Sequence, residues 1–480
     1  MNEFMRMVFS ELGSSLWKAG FLVLLAAGAI FWLYGRHRRK YGGETPFPWK
    51  RAILILLLVG YLAIVDHATQ SRMSSWAGGA NFRLFRAWRE AWNNYSVKNW
   101  ANVLLNVALF VPLGVLVPLV FPKCRKGLRM PLVAFGTSLT VEFLQWISGR
   151  GLFDVDDLFC NTLGALMGFC CLMMVLSLLG RKWAVSGAFG LLALIPVIAV
   201  GGIFAAYEAQ PYGNLTRDYV YQIDTDEVTW TLKCDLPEVP DTAAVYRASP
   251  ITMAECDDFG AQFARLTGAS FDDVHYYDKE TWFMDHGTNG WYHFLTVSYL
   301  DGSYEYNAGS QDYDNQTVRW ADLDRAAVEE KLAEYGITVP AEADFTPGAA
   351  APGNGQASTD GIWYCFSADR LVTAEGMVDG SLSCRFAADG SKVDIINRLV
   401  TYIYCGEENV ISPAEAYQRM CGGWFFGEWF EYQDPETVSV LSCSFSYETD
   451  TKGFYQPVYL FEVMAPGWDG ADTIMIPAIP

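Results

Sequence analysis

Six long apolar runs in the first 207 residues constrain the fold of this chain more than any other feature. About 20 mainly apolar residues span the hydrocarbon core of a bilayer as a helix, and a helix satisfies its own backbone hydrogen bonds. The sequence therefore predicts an α-helical polytopic membrane bundle of about six spans. The predicted spans are Ser15–Tyr34, Trp49–Ala68, Trp100–Phe121, Leu128–Ile147, Leu158–Leu179 and Trp183–Ala206.

The charge of the chain changes sign where these apolar runs end. Residues 1–207 contain 20 Lys and Arg against 9 Asp and Glu, whereas residues 208–480 contain 14 against 45. A basic membrane region followed by an acidic aqueous region accounts for this division. Because the acidic region would repel the phosphates of a nucleic acid, we predict no nucleic-acid partner.

Three short loops rich in Lys and Arg predict the orientation of the bundle. They read RHRRKYGGETPFPWKR after the first span, KCRKGLR between the third and fourth, and GRK between the fifth and sixth. Basic short loops face the cytoplasm, so both termini and the acidic region are predicted to be extracytoplasmic. Residues 67–100 are also basic and oppose this rule, but their Trp76, Trp88 and Trp92 favour an amphipathic stretch on anionic headgroups.

Polar residues interrupt the apolar runs at one depth, in the stretch EFLQWISGRGLFDVDDLFCNTLGALMG, residues 142–168. Side chains three or four apart share a helix face, so Asp154, Asp157 and Asn161 form one stripe. Gly164 and Gly168 continue the stripe as a surface for close approach of another helix. The pattern predicts a single outward-opening binding pocket. Its candidate residues are Asn106, Glu142, Gln145, Arg150, Asp154, Asp157 and Asn161.

Two interpretations of this cluster stay open from the residues alone. Ionisable groups in a bilayer are costly and typical of functional sites, which would make one of the carboxylates a ligand-binding group or a general acid or base. Alternatively, the pairs Glu142–Arg150 and Asp157–Asn106 only hold three helices together. Asp156 departs from the stripe and is expected to face water or headgroups.

No metal site is predicted, and the cofactor is left unknown. Clustered carboxylates suit hard cations, but nothing in the spacing demands one. The sequence contains no H-E-x-x-H and no paired C-x-x-C, and the turn before Asp154 lacks the glycines of a phosphate-binding loop.

The elements NVALFVPLG, EFLQ and RGLFDVDDLFCNTLGALMG, in this order, resemble the hallmarks of the VanZ-like membrane family across about residues 50–180. Those hallmarks are N-x-x-x-F-x-P-x-G, E-x-x-Q, and a run that contains R, D, D, N and G. The resemblance implies a helical membrane core in the cell envelope. The family's association with low-level resistance to teicoplanin-type glycopeptides implies a link to antibiotic resistance. The long acidic C-terminal region departs from the short members of the family.

The acidic region is predicted to contain two small α+β modules, 208–345 and 362–480, separated by a flexible Gly/Pro-rich linker, 346–361. Alternating strands follow the helix of each module, with Asp301-Gly302 as a hairpin turn in the first. The helices open on a hydroxyl residue with a Glu three residues later, at Thr252/Glu255 and Ser412/Glu415. In the second module, SPAEAY and GFYQPVYLFEV faintly resemble PepSY-like domains.

The acidic region shows no catalytic pattern. His275, His286 and His293 lack metal-ligand spacing. Seven Cys lie in this region, an odd count that leaves at least one unpaired, so disulfides are permitted but not required.

Three classes of function follow for a VanZ-like membrane protein with an acidic extracytoplasmic domain. The first is a binding or modulating protein, whose partners are membrane lipids or lipid-linked cell-wall precursors. The second is an enzyme on such a substrate, with Glu142, Asp154 or Asp157 as general acid or base. The third is a sensor or regulatory accessory, which meets an envelope protein partner through its acidic domain.

Overall fold

A computed structural model describes most of the chain and divides it into two compact units. The first unit is Met1–Trp92 with Val97–Pro211, and the second is Asn93–Ser96 with Tyr212–Pro480. The described residues are 2–41, 46–70, 79–149, 151–215, 222–277, 279–287, 291–310, 318–349, 363–374, 376–425, 430 and 433–480.

Helices make up almost all of the first unit. One short parallel pair of strands, β1 (Ala80–Asn81) and β2 (Phe153–Asp154), joins two of its loops. A 3₁₀ turn, Pro122–Arg125, connects the fourth and fifth helices. The helices are α1 (Asn2–Tyr41), α2 (Trp49–Gln70), α3 (Arg86–Asn94), α4 (Val97–Val120), α5 (Arg129–Ile147), α6 (Val155–Leu179) and α7 (Trp183–Ala209).

Within the described residues, four helices rather than six are long and apolar enough to cross a membrane. They are Gly20–Lys40 of α1, then α4, α6 and α7. The second and fourth predicted spans do form helices, α2 and α5, but the expectation of six spans is not supported. The polar residues of α2, Lys50, Arg51 and Asp66, lie near its ends, whereas α5 has only 19 residues and includes Glu142 and Gln145.

The closest helix packing in this unit joins α4 and α6 through glycine. A Cβ atom at Gly164 would overlap the carbonyl oxygen of Val107, and one at Gly168 would overlap that of Val111. In the opposite direction, a Cβ at Gly114 would overlap the carbonyl oxygen of Ala165. Backbone therefore lies directly on backbone, as small residues at four-residue spacing allow. The predicted small-residue surface on α6 is present.

The short helix α3 turns its aromatic face inward. Trp88 and Trp92 are half-buried and pack against a small core that contains Ala91, Trp100 and Cys160. Arg83 and Arg89, by contrast, are exposed. The tryptophans therefore anchor α3 to the bundle, while Arg89 of this helix faces outward and Arg86 is half-buried; Trp76 lies outside the described residues.

A single sheet of fourteen described strands dominates the second unit. Its main path runs β3-β14-β15-β4-β13-β11-β12-β8-β7-β6-β5, with β10 and β9 branching from β11, and β16 from β15. The strands are β3 (Thr229–Leu232), β4 (Asp241–Ala248), β5 (Asp273–Tyr276), β6 (Glu280–Asp285), β7 (Trp291–Ser298), β8 (Tyr304–Ser310), β9 (Asp344–Ala349), β10 (Trp363–Val372), β11 (Met377–Phe386), β12 (Lys392–Asn397), β13 (Val400–Val410), β14 (Thr437–Thr449), β15 (Phe454–Met464) and β16 (Asp472–Pro477). Three helices accompany them: α8 (Met253–Thr267), α9 (Arg325–Glu334) and α10 (Pro413–Cys421).

The two largest hydrophobic cores among the described residues of this sheet do not coincide with the two predicted modules. The first core draws its buried residues from Cys256 to Ile395 and packs α8 and α9. The second combines Ile223 and Ala243 with residues 410–478 and packs α10. The expected division at 346–361 falls inside the first core, because β12 pairs with β8 across it and residues from both sides share that core. β3 and β4 pair with β14 and β13, which also lie beyond the expected division. Residues 346–349 belong to β9, and 350–361 lie outside the described residues.

The local sequence signals of this unit are confirmed. Thr252 and Glu255 form a reciprocal capping box at the start of α8, and the Ser412 hydroxyl accepts from the Glu415 backbone N–H at 3.1 Å. Gly302, in the turn between β7 and β8, has φ of 72°, the left-handed conformation that favours glycine. In the described part of the chain every cysteine is a free thiol.

Candidate functional site

The centre of the predicted cluster is a contact between α4 and α6. Asn106 of α4 is buried, and its Nδ2 donates a hydrogen bond to Oδ1 of Asp157 in the first turn of α6. The glycine contacts of the same helix pair hold their backbones together. One of the two pairings considered from the sequence therefore exists.

Asp154 links three segments at the start of α6. Its Oδ1 accepts from the backbone N–H of Asp156 at 2.8 Å, as an N-cap, and from Asn81 Nδ2 at 3.1 Å. Its own backbone N–H donates to Oε2 of Glu142 on α5 at 3.2 Å. Burial raises the pKa of the Asp154 carboxyl above its usual range, and these donors oppose that rise. Much of the hydrogen-bonding capacity of Asp154 thus serves to position other residues.

The prediction that Asp156 faces water or headgroups is wrong. Asp156 does not face water: only 1% of it is exposed. Its two carboxylate oxygens accept from the backbone N–H groups of Phe85 and Ala87, at the start of α3, the second at 2.6 Å. A helix begins with unsatisfied N–H groups, and α3 starts after Leu-Phe instead of a capping side chain. That missing cap is the signal from which a remote capping carboxylate could have been inferred.

Asn161 lies one turn further along α6, on the face that carries Asp157. Its side chain is 3% exposed, and its Oδ1 has no hydrogen-bond partner among the described residues. Ser138 stands in the same relation to Glu142 on α5: it is fully buried, one turn away, and its Oγ has no described partner. Two buried polar atoms thus lie beside the carboxylates on two helices.

Gln145 connects the cluster with a groove between α2 and α5, here called the α2–α5 groove. Gln145 follows Glu142 by three residues on α5 and lines one part of the groove, together with Asp66 of α2. The cavity volume is about 520 Å³. The remaining lining is mostly aliphatic and small: Leu62, Val65, Val133, Gly136, Thr137, Thr140, Val141 and Leu144.

Five of the seven predicted site residues therefore lie on α4, α5 and α6, and Asp154 directly precedes α6. Arg150 lies outside the described residues, so its proposed pairing with Glu142 has no structural description. No group of three or more His, Cys, Asp or Glu suited to a metal ion occurs among the residues that the structure describes. The role of the predicted cluster as a binding site stays a prediction.

The second unit contains one polar arrangement that sequence spacing does not show. The hairpin of β5 and β6 brings His275 and His286 to opposite oxygens of Asp273, at 3.1 and 3.3 Å. The two imidazoles lower the pKa of the Asp273 carboxyl. All three side chains are well exposed, so we interpret the arrangement as a surface ion pair.

Comparison with known proteins supports the resemblance seen in the motifs. Residues 52–177 match the VanZ/LLP1 family, a segment that holds all of the predicted cluster and the α2–α5 groove. No protein of established function was found to match the chain significantly. The faint likeness of the second module to PepSY-like domains is not borne out.

Proposed function

We propose that this membrane protein, which contains a VanZ-type domain, binds one lipid or lipid-linked cell-wall precursor in the α2–α5 groove. The carrying observation is the groove itself, which has a mainly apolar wall and reaches the polar cluster at Gln145. Ligand sites combine a largely apolar lining with a few placed polar groups, and this groove has that composition. In this proposal the apolar chain lies in the groove and the polar head lies at the cluster.

The dimensions of the groove suit one lipid chain. On α5 its lining extends from Val133 to Gln145, which corresponds to about 18 Å of helix. One leaflet of the hydrocarbon core is about 15 Å thick. A single acyl or isoprenoid chain would therefore occupy the groove while its head stays at the level of Gln145.

This proposal places α2 and α5 at the depth of the bilayer beside the four apolar helices. The polar residues that lower the hydropathy of α2, Lys50, Arg51 and Asp66, are near its ends. Glu142 of α5 is buried inside the unit, where it accepts from the backbone of Asp154. Neither helix would then expose a charged side chain to the middle of the hydrocarbon core.

A link to teicoplanin-type glycopeptides would follow from the same binding. A protein that holds lipid-linked precursors at the membrane changes how much of them an external glycopeptide can reach.

Deletion of residues 212–480 would separate this function from a regulatory one. If the first unit alone retains the effect on glycopeptide susceptibility, the second unit is not required for that effect.

Filling the groove is expected to expel the ligand. A Cβ at Gly136, which lines the groove, would meet no described atom within 4 Å, so Gly136→Leu adds a side chain without a clash. We expect lipid retained by the protein purified in mild detergent to fall on the order of tenfold, because leucine occupies space that several methylene groups need. Native mass spectrometry of the intact protein measures the retained lipid.

Gly187→Leu is the matched control. Gly187 lies on α7, away from the groove, and a Cβ there would also meet no described atom within 4 Å. Both changes replace a helical glycine, so their effects on helix stability are similar. Equal lipid retention by the two variants would refute the groove as the binding site.

The proposed orientation has a separate test. With both termini outside the cell, a single cysteine at Arg38 faces the cytoplasm and one at Val372 faces the exterior. Val372 is 83% exposed, so its labelling depends on membrane side and not on burial. In intact cells on a cysteine-free background, an impermeant maleimide is expected to label Val372→Cys and to spare Arg38→Cys. The reverse pattern would invert the topology.

A further inference from the structure

Two cysteines from distant parts of the chain meet in the second core of the acidic unit. β3 runs parallel to β14 with Leu232 opposite Val440, and the backbone N–H of Lys233 donates to the carbonyl of Val440 at 2.9 Å. Cys234 therefore follows β3 at the level of residues 442 and 443 of β14. Because β3 ends the main path of the described sheet, this position lies at a sheet edge.

A bulge in β14 turns Cys443 toward the same core. The register between β14 and β15 shifts between Val440 and Ser442. Side chains alternate along a regular strand, so without the extra residue Ser442 would share the face of Val440. Instead Ser442 is exposed, and Cys443 packs against the second core, as Cys234 does. The two thiols thus lie on the same face of adjacent strands.

The spacing of these thiols suits a disulfide. Neighbouring strands lie about 4.8 Å apart, and an offset of one residue adds about 3.3 Å along the strand, which together give a Cα–Cα separation of about 6 Å. Disulfides join Cα atoms that are about 4.4–6.8 Å apart. Burial raises the pKa of the Cys443 thiol to about 11, and the neighbouring Cys234 adds to that rise. The two side chains therefore lie within electrostatic reach of each other.

Cys421, at the end of α10, is the alternative partner for Cys234. Tyr417, one turn earlier on α10, interacts with both of these thiols. Its hydrogen bond to Cys421 opposes the rise that burial gives to the pKa of that thiol. Cys421 therefore has a partner within its own helix, whereas Cys234 and Cys443 face the same core from paired strands.

We propose that Cys234 and Cys443 form a disulfide site, which is oxidised when the second unit lies outside the cell. Extracytoplasmic compartments favour disulfides, so this inference uses the proposed orientation but not the proposed lipid ligand. The thiolate of Cys234 attacks the disulfide of an oxidised thiol–disulfide oxidoreductase, and one sulfur of that disulfide leaves as a thiolate. Cys443, once deprotonated, then displaces the other sulfur. Two protons and two electrons pass from the two cysteines, and the disulfide of the oxidant is reduced to two thiols.

Peptide mapping tests the bond in protein taken directly from cells. The cells are broken into an alkylating reagent, and the full chain is digested without reduction by trypsin and by a protease that cuts after glutamate. The proposed bond joins CDLPE, residues 234–238, to TVSVLSCSFSYE, residues 437–448, whereas Cys421 falls in MCGGWFFGE, residues 420–428. We expect at least about half of Cys234 in the first product, as a structural disulfide resists reduction. Alkylated Cys234, or Cys234 linked to Cys421, overturns the proposal if Val372→Cys labels from outside.

Purified protein tests the site independently of orientation. Oxidised glutathione is expected to form the same bond in the full chain in detergent. Reduction should then lower the melting temperature by on the order of 10 °C, because the bond closes a long loop in the unfolded chain. Cys443→Ala is expected to lose this response to reductant, whereas Cys421→Ala, the matched control, retains it. Failure of glutathione to link the pair, or an equal response in both variants, overturns the site.

Discussion

Asp156→Ala is expected to lower the free energy of unfolding of the first unit by about 3 kcal/mol, because hydrogen bonds to a charged group contribute about 1.5–3 kcal/mol each. The substitution removes both acceptors of the Phe85 and Ala87 backbone N–H groups at the start of α3. It also removes a negative charge from a helix N-terminus, where such a charge is stabilising. Thermal unfolding of the purified protein in detergent, together with its steady-state amount in membranes, measures the loss.

Asp157→Asn is the matched comparison for this effect. An asparagine at 157 still offers a carbonyl oxygen to Asn106 Nδ2, so the contact between α4 and α6 survives and the fold is expected to persist. Asp156→Asn should fall between the two, since one of its two acceptors becomes an NH₂ group that faces a backbone donor. Equal melting temperatures for Asp156→Ala and Asp157→Asn would show that Asp156 does not hold α3.

The second large effect is expected at the glycine contacts of α4 and α6. Gly164→Val would place a branched side chain where the carbonyl of Val107 lies, so the two helices must separate. Overpacking of a well-packed interface typically lowers the free energy of unfolding by about 1–3 kcal/mol. Because the obstacle here is backbone, we expect the upper end of that range or loss of folded protein. The measured quantity is the melting temperature in detergent.

Gly201→Val provides the control for helix propensity. Gly201 is on α7, and a Cβ there would meet no described atom within 4 Å. Since valine is a better helix former than glycine, this variant is expected to melt at an equal or slightly higher temperature. If Gly164→Val and Gly201→Val behave alike, α4 and α6 are not in backbone contact.

Local order in the sequence was enough to place most helices of the first unit. The six apolar runs predict six helices, and α2, α4, α5, α6 and α7 begin or end within a few residues of the predicted bounds. Hydrophobic length and capping signals depend on neighbours along the chain, which is why they can be read without a structure. Whether a helix with polar side chains spans a membrane depends on which of them are shielded, and length and composition alone support four spans, not six.

The candidate site was predictable in part for the same reason. Residues three or four apart share a helix face, so the spacing of Asp157, Asn161 and Gly164 identified the face that meets α4. The family motifs supplied the partner, Asn106. Helical spacing fails at Asp156, whose partners are backbone groups 69 and 71 residues away. No periodicity in the chain connects a helix cap to a donor on another segment.

What the sequence by itself determined was therefore local: the helix positions, the face shared by Asp157 and Asn161, the capped helices and the division between an apolar and an acidic region. Only the tertiary structure decided the remote cap at Asp156, the groove between α2 and α5, and the pairing of β3 with β14 and β4 with β13. Strand alternation predicts that a segment is a strand but not its neighbour, because pairing is chosen by burial and hydrogen bonding among all strands at once. The two largest cores described in the second unit, each built from distant parts of the chain, result from that choice.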